Sequence, residues 1–251
     1  MKRFLGAVLL TALAFGPARP GRADDKDVQA VLDKAIKALG GEEKLAAVKA
    51  ATWKAKGKIS FGGSDNEFTM TTTAQGLDHV RSEFAGEFAG SKVKGVSVLS
   101  GDKGWRSFAD SVDELDKDGV ASEKRNLYLQ LVPATLVPLK GKGFKVEAAG
   151  TEKVGGKPAA VLKITGPDGK DFKLFFDEAS GLPVKQVAKV VGFMNDEYTQ
   201  ETTFSDYKDF GGIKKATKVA STRDGEKFIE QEITEFKPLD KVDPKTFAEP
   251  K

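Results

Sequence analysis

The stretch Thr52-Trp53-Lys54-Ala55-Lys56-Gly57-Lys58-Ile59 decides the fold. Side chains of a strand alternate between faces, so Trp53, Ala55, Gly57 and Ile59 share one side and Lys54, Lys56 and Lys58 the other. One apolar face and one charged face belong to an antiparallel strand that is packed on one side and wet on the other. Upstream the period is that of a helix. Val28, Val31, Leu32, Ala35, Ile36 and Leu39 fall on one stripe, and Gly40-Gly41 stops the helix. A short second helical segment is expected over 42–48.

Downstream the two-residue period returns at 68–74, 79–84, 92–99, 104–108, 144–148, 160–165, 170–176, 184–191, 197–204, 213–221 and 227–237. Turn signals such as Gly101-Asp102-Lys103-Gly104, Pro167-Asp168-Gly169 and Asp224-Gly225 separate these runs. About a dozen strands in succession predict a mainly β fold with some α: one large antiparallel sheet, curled into a half-open barrel. Residues 122–131 interrupt it as a helix that Pro133 is expected to end. With the apolar, proline-broken stretch 134–139, this insertion is expected to cover one mouth or face of the sheet as a lid.

The ends add a cellular address. Lys2 and Arg3, an apolar run from Phe4 to Phe15 and Gly21-Arg22-Ala23 make the three-part pattern of a secretory signal, so 1–23 is read as a cleaved leader and 24–251 as one domain. The apolar run is too short to span a membrane, which takes roughly 20 residues. The expected location is therefore the periplasm or another extracytoplasmic space, with no membrane span after cleavage. The chain has no Cys, so it carries neither a lipidated cysteine nor a disulfide and must rest on its own core. Without Lys2, Arg3, Arg19 and Arg22 it holds 36 basic against 37 acidic residues, a balance that makes nucleic acid a poor partner.

The inventory for catalysis is thin. His79 is the single histidine, which removes paired-histidine and Cys/His metal sites, and a strand-face histidine reads as structural. Glu114-Leu115-Asp116-Lys117-Asp118-Gly119 starts like a calcium loop, but its twelfth position is Arg125 where a bidentate glutamate is required. The acidic stretch 110–118 is thus expected to be a solvated loop. Glu201, Glu230 and Glu232 sit among lysines as an outward charge ladder. No enzyme, cofactor or metal is expected. A curled sheet of this size has a concave face larger than one helix can fill, so an apolar cavity is expected. Its candidate lining is Trp53, Phe68, Met70, Trp105, Phe108, Leu127, Leu131, Phe176 and Phe204.

Several segments taken together carry a family likeness: Ala38-Leu39-Gly40-Gly41-Glu42-Glu43-Lys44-Leu45, Gly101-Asp102-Lys103-Gly104-Trp105-Arg106, Phe176-Asp177-Glu178-Ala179-Ser180-Gly181-Leu182-Pro183, Phe204-Ser205-Asp206-Tyr207 with Gly212-Ile213, and the close from Asp240 to Pro250. The chain resembles the outer-membrane lipoprotein-sorting (Lol-carrier-like) superfamily, a broad branch of it rather than the dedicated lipoprotein chaperone. The resemblance implies a half-open β-barrel with a helical lid and an apolar concave face that receives acyl chains. It also implies a basic residue near the cavity mouth, for which Arg81 and Arg106 are the candidates. The expected function is a non-enzymatic, monomeric carrier for a lipid or an acylated protein, with an envelope acceptor protein as a further partner. The alternative is a structural module of the cell envelope whose cavity is filled by its own side chains.

Overall fold

The computed structural model describes residues 25–88, 90–108, 111–192 and 196–251. The leader reading of 1–23 lies outside the described residues. Two helices come first, α1 (Asp25–Leu39) and α2 (Glu42–Ala47). Six strands follow: β1 (Ala50–Phe61), β2 (Ser64–Gln75), β3 (His79–Phe88), β4 (Ser91–Ser100), β5 (Lys103–Phe108) and β6 (Ser111–Glu114). Helix α3 (Lys117–Thr135) and a 3-10 turn (Val137–Lys140) separate these from β7 (Lys145–Val154), β8 (Lys157–Thr165), β9 (Asp171–Asp177), β10 (Pro183–Val191), β11 (Glu197–Asp209), β12 (Lys214–Arg223) and β13 (Glu226–Leu239).

All 13 strands form one antiparallel sheet in the order β6-β5-β4-β3-β2-β1-β13-β12-β11-β10-β9-β8-β7. It curls without closing, a half-open barrel. The first and last strands pair at its centre, and its two free edges are β6 and β7. Helix α3 is the link between those edges. It runs from one edge to the other, and its packing against β8–β10 on one flank and β2–β4 on the other sets it over the concave face.

The packing confirms the two faces. Leu32, Ala35, Ile36 and Leu39 of α1 and Tyr128, Leu129 and Val132 of α3 share a core with Leu162, Ile164, Phe172, Leu174, Phe176, Ala188 and Val190 of β8–β10. The other flank of α3, through Val120 and Leu127, packs on Ala74, Val80 and Leu99 of β2–β4. Lys54, Lys56 and Lys58 are exposed on the opposite side, and Lys54 and Lys56 reach Glu235 at 3.1 Å and Glu232 at 3.8 Å. Two close approaches need glycine. A Cβ at Gly40, where φ is +133°, meets the Gly212 carbonyl oxygen at 2.2 Å, and one at Gly57 meets that of Glu230 at 2.1 Å. The first lets the end of α1 press on the β11–β12 turn, and the second lets β1 and β13 coil tightly at the centre of the sheet.

Two sequence expectations need correction. The acidic stretch 110–118 is not a solvated loop throughout, because Ser111–Glu114 is edge strand β6, and Asp116 caps α3 by accepting a hydrogen bond from the Gly119 N–H at 2.8 Å. Nor does Pro133 end α3, which continues to Thr135. A proline has no N–H for the carbonyl four residues back, here that of Leu129. The Gln186 side chain of β10 fills the vacancy, its Nε2 donating to that oxygen at 3.1 Å, so the helix runs on past the proline.

Candidate functional site

The candidate site is a cleft of about 210 Å³ between the concave face and the helical cover. Its floor is Trp53 of β1, Ala74 of β2, Lys215 of β12 and Phe236 of β13; its walls are Leu45 of α2, Val48, Leu77, Leu131 of α3, Val137, Pro138 and Ile213. Alternation explains the floor. Trp53 pairs with Thr72 on one side and Phe236 on the other, and directly paired residues face the same way. Phe210 packs edge-on against Phe236, with ring centres 5.7 Å apart, and backs the floor.

Lys215 is the exception in an apolar wall. It follows Ile213 by two residues and precedes the buried Thr217 by two, so its stem leaves the sheet on the concave side. Its ammonium lies 4.3 Å from the centre of the Phe236 ring, a cation–π contact. Desolvation pulls its pKa down to about 8. No carboxylate among the described residues forms an ion pair with it, whereas Lys54, Lys56, Lys140, Lys163, Lys185, Lys189, Lys218 and Lys227 all have one.

Of the nine apolar candidates, the structure brings Trp53 and Leu131 to this cleft. Phe68 is buried further along the concave face, stacked on Phe84 at 5.6 Å, and Phe84 in turn lies 6.0 Å from Phe88. Met70 sits opposite Phe84, and Phe204 opposite Val219, in that same uncovered half. Leu127 projects from α3 into its core with β2–β4, and Phe176 is packed in the core beneath α1. Trp105 pairs with Val98, which pairs with Arg81, so both Trp105 and Arg81 lie on the outer face. Phe108 is 55% exposed near the β6 edge.

Neither arginine candidate stands at the mouth of the cleft. Arg81 holds Glu83 at 2.8 Å on the outer face. Arg106 is on the concave side, but its Nε and Nη2 both bind Glu123 of α3, at 3.2 and 2.6 Å. His79 is braced by Asp78 at 2.8 Å and edge-on to Phe247 at 5.3 Å, where it fastens the C-terminal turn. Among the described residues no three His, Cys, Asp or Glu side chains are placed to hold a metal ion, and no helix is long and apolar enough to cross a membrane.

Sequence reading missed three contributors. Lys215 looked like one surface lysine among many, although its spacing from Ile213 and Thr217 assigns it to the apolar face. Arg125, which only failed a calcium-loop test, is 4% exposed and anchors α3. It binds Asp168 at 3.0 Å and donates to the carbonyls of Lys189 at 2.8 Å and Asp171 at 3.1 Å. Tyr128 completes that cluster, its hydroxyl donating to Asp168 at 2.8 Å, and burial together with this carboxylate pushes its pKa well up.

A larger trough of about 900 Å³ crosses the outer face, between the rows that contain Lys56, Glu232 and Lys218 and Lys58, Glu67 and Glu230. Lysines and glutamates of both signs stand along it among the aliphatic and backbone atoms, whereas the smaller cleft holds no carboxylate and lies under a helix, so the smaller cleft is the better site for an acyl chain.

No family model and no curated protein matches the sequence. Solved structures do match its shape. A LolA superfamily protein from Nitrosomonas europaea superposes with a TM-score of 0.58 at 10% identity, over 88% of this chain and 97% of that one. The chain has the LolA-superfamily fold. A DUF1329 family protein from Desulfovibrio piger gives a TM-score of 0.55 at 13% identity, again over 88% and 97% of the two chains. A domain assigned to outer-membrane lipoprotein sorting from Vibrio parahaemolyticus gives 0.51 at 11%, over 86% and 97%. The resemblance read from the turn motifs thus holds at the level of the LolA-superfamily fold.

Proposed function

We propose that the chain is an extracytoplasmic, non-enzymatic binding protein that carries a lipid, or the acyl chain of an acylated protein, in the cleft between its concave face and α3. The observation that carries this reading is the cleft itself: an apolar recess, open to solvent, beneath a helix that packs across the curl. The leader-like residues 1–23 support export, and the fold shared with a lipoprotein-sorting domain supports the ligand class. A monomer needs no cofactor for this task, and an envelope acceptor protein is the natural recipient of its cargo.

The size of the cleft bears on mechanism. At about 210 Å³ it is smaller than the roughly 300–1,000 Å³ of most small-molecule sites, so it accepts the end of a chain until α3 and the 3-10 turn shift outward. Each buried methylene contributes about 0.8 kcal/mol, so a half-enclosed chain of about eight gains about 6 kcal/mol before ordering costs. A grip that loose lets cargo leave for a second apolar site.

A second reading has its own observation. The uncovered half of the concave face is occupied in part by Phe68 stacked on Phe84 and Phe88 tilted against it, as a self-filled structural module would be. Native mass spectrometry of the mature chain, purified from the cell envelope, separates the two. A carrier shows a co-purified lipid mass and binds a lipophilic dye; a bare protein that binds no dye overturns the carrier reading and leaves the structural module.

A further inference from the structure

We infer that Lys215 makes the cleft selective for acyl chains that end in an anionic head, a carboxylate or a phosphate, over neutral chains of the same length. This rests on the carrier reading and adds the charge of the ligand to it. The argument begins with what the cleft lacks. Among its lining residues there is no Asp or Glu, and the only cation besides Lys215 is Lys49 at the α2–β1 junction, whose ammonium donates to the Ala46 carbonyl at 2.7 Å. No carboxylate of α2, α3, the 3-10 turn, β1, β11 or β13 forms an ion pair with Lys215, and the residue paired with it across the ladder on β11 is a second cation, the exposed Lys208. Lys54 and Lys56 of β1 point to the other face and are paired there.

An ammonium among apolar side chains is costly to keep charged without a counter-ion. The Phe236 ring offsets part of that cost, and a ring supplies no hydrogen-bond acceptor oxygen. Two or three donors of Lys215 therefore remain for a ligand. An acyl chain entering between Leu131, Val137 and Trp53 brings its head to this cation, where one charge-assisted hydrogen bond forms in a medium that strengthens it. A neutral head leaves the ammonium as it was.

The test uses three ligands with one alkyl chain, hexadecanoate, hexadecyl phosphate and hexadecanol, each displacing a neutral lipophilic dye from the mature chain at pH 7. At least one anionic ligand is expected to compete about tenfold better than hexadecanol, the size of one charge-assisted hydrogen bond. An advantage confined to hexadecanoate identifies a fatty acid, and one confined to hexadecyl phosphate a phosphate headgroup; either supports the inference. Lys215→Met is expected to abolish the advantage while still binding hexadecanol, and Lys215→Arg to keep it. The advantage also shrinks at about pH 9.5, where a lysine with a pKa of about 8 is neutral. Equal competition by all three ligands, or an advantage unchanged in Lys215→Met, overturns the inference while leaving the carrier reading intact. Failure of dye and all three ligands to bind overturns the carrier reading itself.

Discussion

Pro133 and Gln186 solve one problem between them. The proline withdraws a donor from the Leu129 carbonyl, and the buried glutamine supplies another. Gln186→Ala is therefore expected to cost about 2 kcal/mol, the range for a buried acceptor left bare. In a Pro133→Ala background, where the helix again offers its own N–H, the same change costs clearly less; urea unfolding of the four proteins checks this, and equal costs would refute the pairing. Lys215 makes the opposite kind of prediction. Its pKa falls from an ordinary 10.5 to about 8 on folding, so below about pH 8 both states are protonated and the folded one carries a desolvated charge. Between about 8 and 10.5 the folded state loses its proton first, and stability rises with pH across that window. A half-buried lysine justifies about 2 kcal/mol of relief. Lys215→Met is accordingly expected to be about 2 kcal/mol more stable at pH 7 than the parent, with the difference gone by about pH 10.5 in urea titrations. Both residues were hidden in the sequence for the same reason. Gln186 gains its meaning from a proline 53 positions away, and Lys215 from a strand parity that one lysine among many obscures.

At the scale of elements, α3 is tied on one flank by Glu123 to Arg106 and Lys124 to Asp102, and on the other by Arg125, whose bonds are the most buried. Arg125 joins it to the β8–β9 turn through Asp168 and Asp171 and to β10 through Lys189. Breaking a buried pair by removing one partner costs about 3–5 kcal/mol, and the partial exposure of Asp168 puts Arg125→Met near 3 kcal/mol. Because the tie belongs to the cover and not to the sheet, hydrogen exchange in that variant is expected to accelerate in α3 well before β8 and β9; uniform acceleration would count against a separable lid. The exposed ion pairs of Lys140 with Glu42 at 2.6 Å and Asp33 at 3.7 Å fasten the 3-10 turn more weakly, as surface pairs do. Strands and the first helix were legible because period two and period 3.6 are local properties of the chain. The full length of α3 was not, since its start is set by the Asp116 cap inside an acidic run, its passage beyond Pro133 rests on a glutamine of a distant strand, and its end is set by Leu136 in the left-handed conformation. The cleft was half legible: Trp53 and Leu131 could be named as apolar, but which aromatics lie on the covered half of the sheet depends on register and curl. Phe176 and Trp105 read the same way as Trp53 in sequence, and the fold sends them to the core under α1 and to the outer face.

For the whole molecule, connectivity and function meet at one point. A sheet whose terminal strands pair at the centre must leave its edges to mid-chain strands, and the segment joining those edges must bridge the opening. Strand order thus calls for a segment between the two edges, and packing places that segment over the concave face as a cover. That arrangement separates stability from binding: the sheet and α1 hold the core, whereas the cleft lies at the border between sheet and cover, where Leu131 and Val137 are only half-buried. Filling that border should then abolish binding without weakening the fold. Leu131→Trp places an indole in the recess beside Trp53 and is expected to remove dye and acyl-chain binding at least about tenfold, with a stability change within about 1 kcal/mol because the side chain enters open space instead of a packed core. Thermal unfolding and dye titration on the same sample read the two effects. If binding survives in Leu131→Trp, the acyl chain lies elsewhere, and the uncovered end of the concave face around Met70, Phe84 and Phe204 becomes the place to look, since there the alternation continues apolar beyond the reach of α3.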